Sequence, residues 1–95
     1  MPKGYLIANV TVNDPEEYAG YTGQTPALME RFGGKYIVRG GRAQVPEGES
    51  RERQVVIEFP SYENAVAAYN DDEYQKVADI RRRATDSTII LVEGA

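Results

Sequence analysis

The strands encoded by this sequence are apolar on both sides, and that narrows what a chain of 95 residues can become. Residues 4–12 read Gly-Tyr-Leu-Ile-Ala-Asn-Val-Thr-Val, a short β-branched and aromatic run that predicts a strand. Tyr5, Ile7 and Asn9 fall on one side of it, and Leu6, Ala8 and Val10 on the other. Residues 51–59 offer Val55, Ile57 and Phe59 against Val56 and Glu58, and residues 87–93 offer Ile89 and Leu91 against Ile90 and Val92. A strand wet on one face alternates apolar with polar, whereas one apolar at nearly every position is covered twice. One layer of helices covers a single sheet face. The other would be a larger apolar patch than monomers usually carry. At roughly 25 cal/mol per Å², covering several hundred Å² is worth on the order of 10 kcal/mol before association costs. The sequence therefore predicts a homodimer in which two sheets pack face to face about a two-fold axis.

Helix signals separate the strands. Asp14 can cap free N–H groups, Pro15 suits the first helical position, and Glu16 and Glu17 favour the positive end of the helix dipole. Tyr18, Tyr21, Thr25, Leu28, Met29 and Phe32 then recur at steps of three and four, until Gly33-Gly34 stops the helix. Pro26 deletes an internal hydrogen bond, and Gly20 and Gly23 weaken the helix further, so a kink is expected just before Pro26. A second strand is expected over residues 35–45, with Gly40-Gly41 marking a bulge or a close backbone approach. Pro46 to Ser50 reads as an exposed, charged turn into the third strand, 51–59. Ser61 caps a second helix with the apolar stripe Tyr62, Ala65, Val66 and Tyr69. That helix is interrupted at Asn70-Asp71-Asp72 and resumes with Tyr74, Val77, Ala78 and Arg81 on one face. The order βαββαβ, all in one domain, is the ferredoxin-like arrangement, α+β: a four-stranded antiparallel sheet with two helices on one face.

The chain contains no His and no Cys. This excludes His-ligated haem, zinc sites built on His or Cys, Ser-His-Asp triads and thiolate nucleophiles within it. Asp71-Asp72-Glu73 serves better as a cap than as a metal site, and no metal or cofactor is expected. The net charge is −4, which disfavours nucleic acid as a partner. No stretch approaches the ~20 apolar residues of a membrane span, and the N-terminus lacks a signal peptide's apolar segment, so a cytoplasmic location is the expectation.

The residues left can bind, orient and move protons. Glu58 interrupts an apolar strand. Turned inward it is a buried carboxylate, serving either as general base and ligand anchor or in an ion pair with Arg39 or Arg81; otherwise it is a Glu at the strand end that reaches water. Arg39 precedes Gly40-Gly41, and a guanidinium beside bare backbone can clamp a carboxylate at two points or simply form a salt bridge. Tyr18, Tyr21, Tyr69 and Tyr74 lie on helix faces that meet the sheet, as core or as the wall of a half-wet cavity. Asn9 can orient a ligand there or satisfy a buried backbone group, and Arg81 can seal a pocket mouth or pair with Glu58. Three functions fit: a small-molecule-binding homodimer with a Tyr- and Arg-lined cleft between sheet and helices, a cofactor-independent enzyme using Glu58 and Arg39, or a structural module without a pocket.

An ordered set of segments also resembles one bacterial family. These are Gly4-Tyr5-Leu6-Ile7, Asp14-Pro15-Glu16-Glu17-Tyr18 with Tyr21, Phe32-Gly33-Gly34-Lys35-Tyr36 leading to Arg39-Gly40-Gly41, Glu58-Phe59-Pro60-Ser61, Ala68-Tyr69-Asn70 through Glu73-Tyr74, Arg81, and Leu91-Val92-Glu93-Gly94. The family is domain of unknown function 1330, in the dimeric α/β-barrel superfamily. The resemblance implies a ferredoxin-like protomer and a barrel-forming homodimer but no function. The wider superfamily includes monooxygenases and isomerases that act without metal or flavin. Ala68 stands where the family tends to carry a bulky aromatic, which implies a larger or differently shaped pocket if that aromatic lines one.

Overall fold

The computed structural model describes residues 2–95. Its elements follow in the order β1 (Gly4–Val12), α1 (Pro15–Thr22), α2 (Thr25–Glu30), β2 (Lys35–Arg39), β3 (Arg53–Phe59), α3 (Tyr62–Asn70), α4 (Asp72–Ala84) and β4 (Thr85–Glu93). The strands form one antiparallel sheet in the order β2-β3-β1-β4, with β1 pairing β4 from Gly4↔Glu93 to Val12↔Thr85. This is the ferredoxin-like α+β arrangement, with each expected helix divided in two. The core lies between sheet and helices. Leu6, Ala8, Val10, Val55, Ile57 and Phe59 face it from the strands, and Leu28, Met29, Ala65, Ala68, Tyr74 and Ala78 close it from the helices.

The breaks fall where the helical hydrogen bonds fail. The Asp14 side chain accepts from the Glu17 N–H and starts α1, and Gly33, at φ 79°, ends the second segment in the left-handed conformation. Between them, Gly23 and Gln24 separate α1 from α2, two to three residues before Pro26. Pro26 has no N–H to offer Thr22, four residues back, so the Thr22 carbonyl is released from the helical ladder. In the other half, Asp71 accepts from the Tyr74 N–H at 3.1 Å and starts α4 as α3 ends. The stripe of α3 is shifted from the sequence expectation. Ala65 and Ala68 are fully buried and Tyr62 stays exposed, because small side chains let this helix lie close to the sheet.

The second strand is shorter than expected, ending at Arg39 rather than at residue 45. Gly40, at φ 67°, turns the chain away, and residues 40–50 are exposed. The bulge lies at Ile37 instead of at Gly40-Gly41: Tyr36 pairs with Ile57, Val38 with Val56 and Arg39 with Val55. That extra residue turns Arg39 onto the helix side of the sheet, alongside Tyr36. Gly40 is instead a point of close approach, since a Cβ built there would collide with the guanidinium of Arg53.

The face away from the helices is apolar in the middle and polar at both ends. Ile90, Val92, Ile37 and Val38 are exposed and Ile7 and Val56 are half-buried. At one end the Asn9 amide donates to the Gln54 side chain. At the other, Glu58 lies 3.9 Å from the Lys3 ammonium and accepts a hydrogen bond of 3.4 Å from the Tyr5 hydroxyl. Among the described residues, no helix is long and apolar enough to cross a membrane.

Candidate functional site

A narrow cleft opens between the sheet and the α1–α2 segment. Its floor is Leu6, Ala8 and Val10 of β1 with Val55 and Ile57 of β3, every second residue of strands whose other side faces away. Tyr18, Tyr21, Thr22 and Thr25 form one wall, and Tyr36, Arg39, Arg53 and Arg81 complete the lining. It encloses about 400 Å³ free of protein atoms, open mouth included. Its enclosed part has room for about two ordered waters, so a ligand larger than that needs the side chains to part.

Each arginine lies over a tyrosine ring. The Arg39 guanidinium carbon is 4.9 Å from the Tyr36 ring centre, that of Arg53 is 5.7 Å from Tyr18, and that of Arg81 is 5.8 Å from Tyr21. These distances fall within the range of cation–π attraction. Arg39 sits exposed at the mouth, where its Nη2 donates to the Thr22 carbonyl at 3.3 Å. The acceptor that Pro26 leaves free thus holds a cleft arginine. Arg53 is half-buried, and Arg81, from the last turn of α4, is only 4% exposed. Arg81 Nη1 donates to Ser87 Oγ at 2.7 Å. The buried Nε atoms of Arg53 and Arg81 have no hydrogen-bond partner within the protein.

The tyrosines form a connected set. Tyr18 and Tyr21, one helical turn apart, stack with ring centres 5.7 Å apart. The Tyr21 and Tyr74 hydroxyls share a hydrogen bond of 2.7 Å, and Tyr74 lies edge-on to Tyr21 and tilted against Tyr69. Burial, reinforced by the charge and hydrogen bond of Tyr74, pushes Tyr21 far above the ordinary tyrosine value. Burial also raises Tyr36 to about 12, against the opposing pull of Arg39. Both are therefore neutral at physiological pH and can donate hydrogen bonds, but they supply no negative charge to the arginines.

The expected site residues divide between the two sides of the sheet. Tyr18, Tyr21, Arg39 and Arg81 meet in the cleft. Tyr74 stands behind them as buried core, and Tyr69 lies beside Arg81 in a separate shallow recess with Thr85 and Ser87. Glu58 and Asn9 do not enter the cleft. Both belong to the face away from the helices, where Glu58 meets Lys3 and Tyr5 rather than Arg39 or Arg81. Of the readings open for Glu58, strand alternation rules out the inward ones, as base or as partner of Arg39 or Arg81, and leaves the one that reaches water: Glu58 is out of phase with buried Ile57 and Phe59. Ala68 is fully buried and does not line the cleft. Tyr36 and Arg53 were not among the expected residues. Alternation could have found Arg53, since it shares a strand face with Val55 and Ile57.

Solved proteins share this fold. RPA0582, a protein of unknown function from Rhodopseudomonas palustris, is similar with a TM-score of 0.78 at 23% identity, covering 99% of this chain and 83% of that one. SnoaB, a cofactor-independent oxygenase from Streptomyces nogalater, gives a TM-score of 0.63 at 14% identity, over 100% of this chain and 95% of its own. A conserved protein of unknown function from Bacteroides thetaiotaomicron, described as a possible oxidoreductase, gives 0.63 at 13% identity over 97% of each chain. At such identities the likeness is one of fold alone. No protein of curated function matches the sequence. Residues 3–95 match the family that the sequence segments resemble, described as domain of unknown function (DUF1330), and the chain belongs to that family.

Proposed function

We propose that the protein is a small-molecule-binding homodimer, with one binding cleft between sheet and helices in each protomer. The observation that carries this reading is the cleft itself. An aliphatic floor from two central strands meets a few convergent polar groups from α1, β2, β3 and α4, the general build of a ligand pocket. The second copy would cover the middle of the open sheet face, where exposed Ile90 and Val38 flank Ile7 and Val56 in one row across the strands.

Binding is favoured over catalysis by the separation of Glu58 from Arg39 that strand alternation imposes and by the lack of a carboxylate in the cleft lining. Glu58 and Arg39 lie on opposite faces of one sheet, and no Asp or Glu lines the cleft. An enzyme using Glu58 as base and Arg39 as clamp needs both within reach of one ligand. A fragment screen by amide-resolved NMR tests the reading. Hits should shift Tyr18, Tyr21 and Val55, and Ala8→Leu, which fills the floor, should abolish them while the chain stays folded. Hits that cluster elsewhere and survive Ala8→Leu would remove the cleft as the binding site.

A further inference from the structure

We propose that the cleft takes a small planar carboxylic acid, its carboxylate held by the guanidinium groups of Arg53 and Arg81 and its ring lying among the tyrosines. This rests on the reading of the cleft as a binding site and adds the class of ligand.

The first support is an imbalance of charge. Three arginines and no acidic residue line the cleft. The chain carries 15 side-chain carboxylates; Arg82 and Arg83 each find one and Arg31 finds two. Among the described residues, Arg39, Arg53 and Arg81 find none, nor do Arg42 and Arg51, which lie outside the cleft lining. A molecule with a net charge of −4 thus leaves three cations uncompensated in one recess.

The second is unsatisfied donors. Arg81 is 96% buried, from its 4% exposure, and its Nε has no partner. The Nε of Arg53 is likewise buried and unpartnered. A buried donor on a cation is costly to leave unmade, and a bound acceptor that is itself charged relieves both the missing hydrogen bond and the missing countercharge. The neutral tyrosines do not supply that charge. The planar fork of a guanidinium matches the two oxygens of a carboxylate.

The third is the character of the rest of the wall. Aliphatic side chains form the floor and aromatic rings the side, so the ligand's body is apolar and flat. A phosphate dianion carries more hydration than an aliphatic floor can replace, and the lining contains no lysine. The enclosed space holds only about two waters, so even a one-ring body enters as the lining side chains part, and a small ligand is favoured over a large one.

Calorimetric titration and amide-resolved NMR with benzoate, phenylacetate and cinnamate, each beside its own neutral amide, test the assignment. At least one acid should bind with shifts at Tyr18, Tyr21 and Val55, at least tenfold more tightly than its amide. Arg53→Gln should weaken that acid at least tenfold and leave the amide unchanged. Arg81 is deeply buried, so Arg81→Lys, which keeps the charge and loses the fork, serves as the second variant and should also weaken the acid. Amides binding the cleft as tightly as acids, or acids binding both variants as they bind the native chain, would overturn the carboxylate assignment and leave the cleft a binding site. If no acid binds while other fragments occupy the cleft, the ligand class alone fails. If neither acids nor amides nor any other fragment shift a cleft amide, the binding reading fails with it.

Discussion

Gly40 and Arg53 illustrate how single positions build the cleft. A side chain at residue 40 would need a left-handed backbone and would strike the Arg53 guanidinium, so the glycine leaves that arginine its place. The sequence suggests a guanidinium beside bare backbone at this point, and the structure places one there, but it belongs to the facing strand rather than to Arg39. Pro26 acts similarly at a distance, through the carbonyl it leaves to Arg39. Tyr36 gives this scale its pH dependence. Its hydroxyl ionises near 10 in the unfolded chain and at about 12 in the folded one, chiefly because folding buries it. Between those values the unfolded chain sheds a proton that the native state keeps, so stability is intact below pH 10 and falls as pH rises to 12. Tyr36 is only partly buried, and with solvent screening its share is about 1 kcal/mol. Thermal melts from pH 9 to 12 should show Tyr36→Phe losing stability less steeply than the native chain. Parallel slopes would mean that burial does not hold this hydroxyl neutral.

Among elements, those set by local chemistry were the legible ones. Capping by Asp14, Ser61 and Asp71 and the left-handed stop at Gly33 follow from side chains acting within a few residues of themselves. β2 was overextended because residues 40–45 retain some strand-like composition, while the turn at Gly40 and the bulge at Ile37 are set by pairing with β3. The same alternation that is plain in residues 55–59 fixes Glu58 outward and Arg53 inward. The alternation sets Glu58 apart from Ile57 and Phe59, but which of the two sides the helices cover is decided by packing between distant segments. For α4, the Asp71 cap has a measurable worth. Asp71→Ala should cost about 1 kcal/mol and lower the midpoint of thermal unfolding by roughly 5 °C, whereas Asp71→Asn, which can still accept from the Tyr74 N–H, should lose much less. Equal losses in the two variants would point to the nearby Arg31 pair instead of the cap.

At the scale of the molecule, the sheet has two unlike faces, and the sequence overstated how alike they are. The sequence predicts strands apolar at nearly every position on both sides, whereas the outer face is apolar at its centre, between the Asn9–Gln54 pair and the Glu58–Lys3 pair. That pattern suits a bounded contact with a second copy, an apolar middle with a polar rim. Sedimentation of the native protein should give about twice the 10.6 kDa of one chain, and Ile90→Lys, at a site already exposed in the protomer, should return it to one. A native chain that sediments singly at high concentration would dismiss the pairing.

A single ply of backbone, β1, carries Leu6, Ala8 and Val10 toward the cleft and Ile7 and Asn9 toward the outside. Whatever bends this strand from above is felt below, so the proposed occupancy above and the proposed pairing below would draw on one shared rigidity. By thermodynamic reciprocity, a ligand that tightens the pairing must itself be held more tightly by the pair. Titrating an acid that fits at protein concentrations on either side of the dissociation midpoint would measure that factor, and equal affinities at both would make the strand a passive divider.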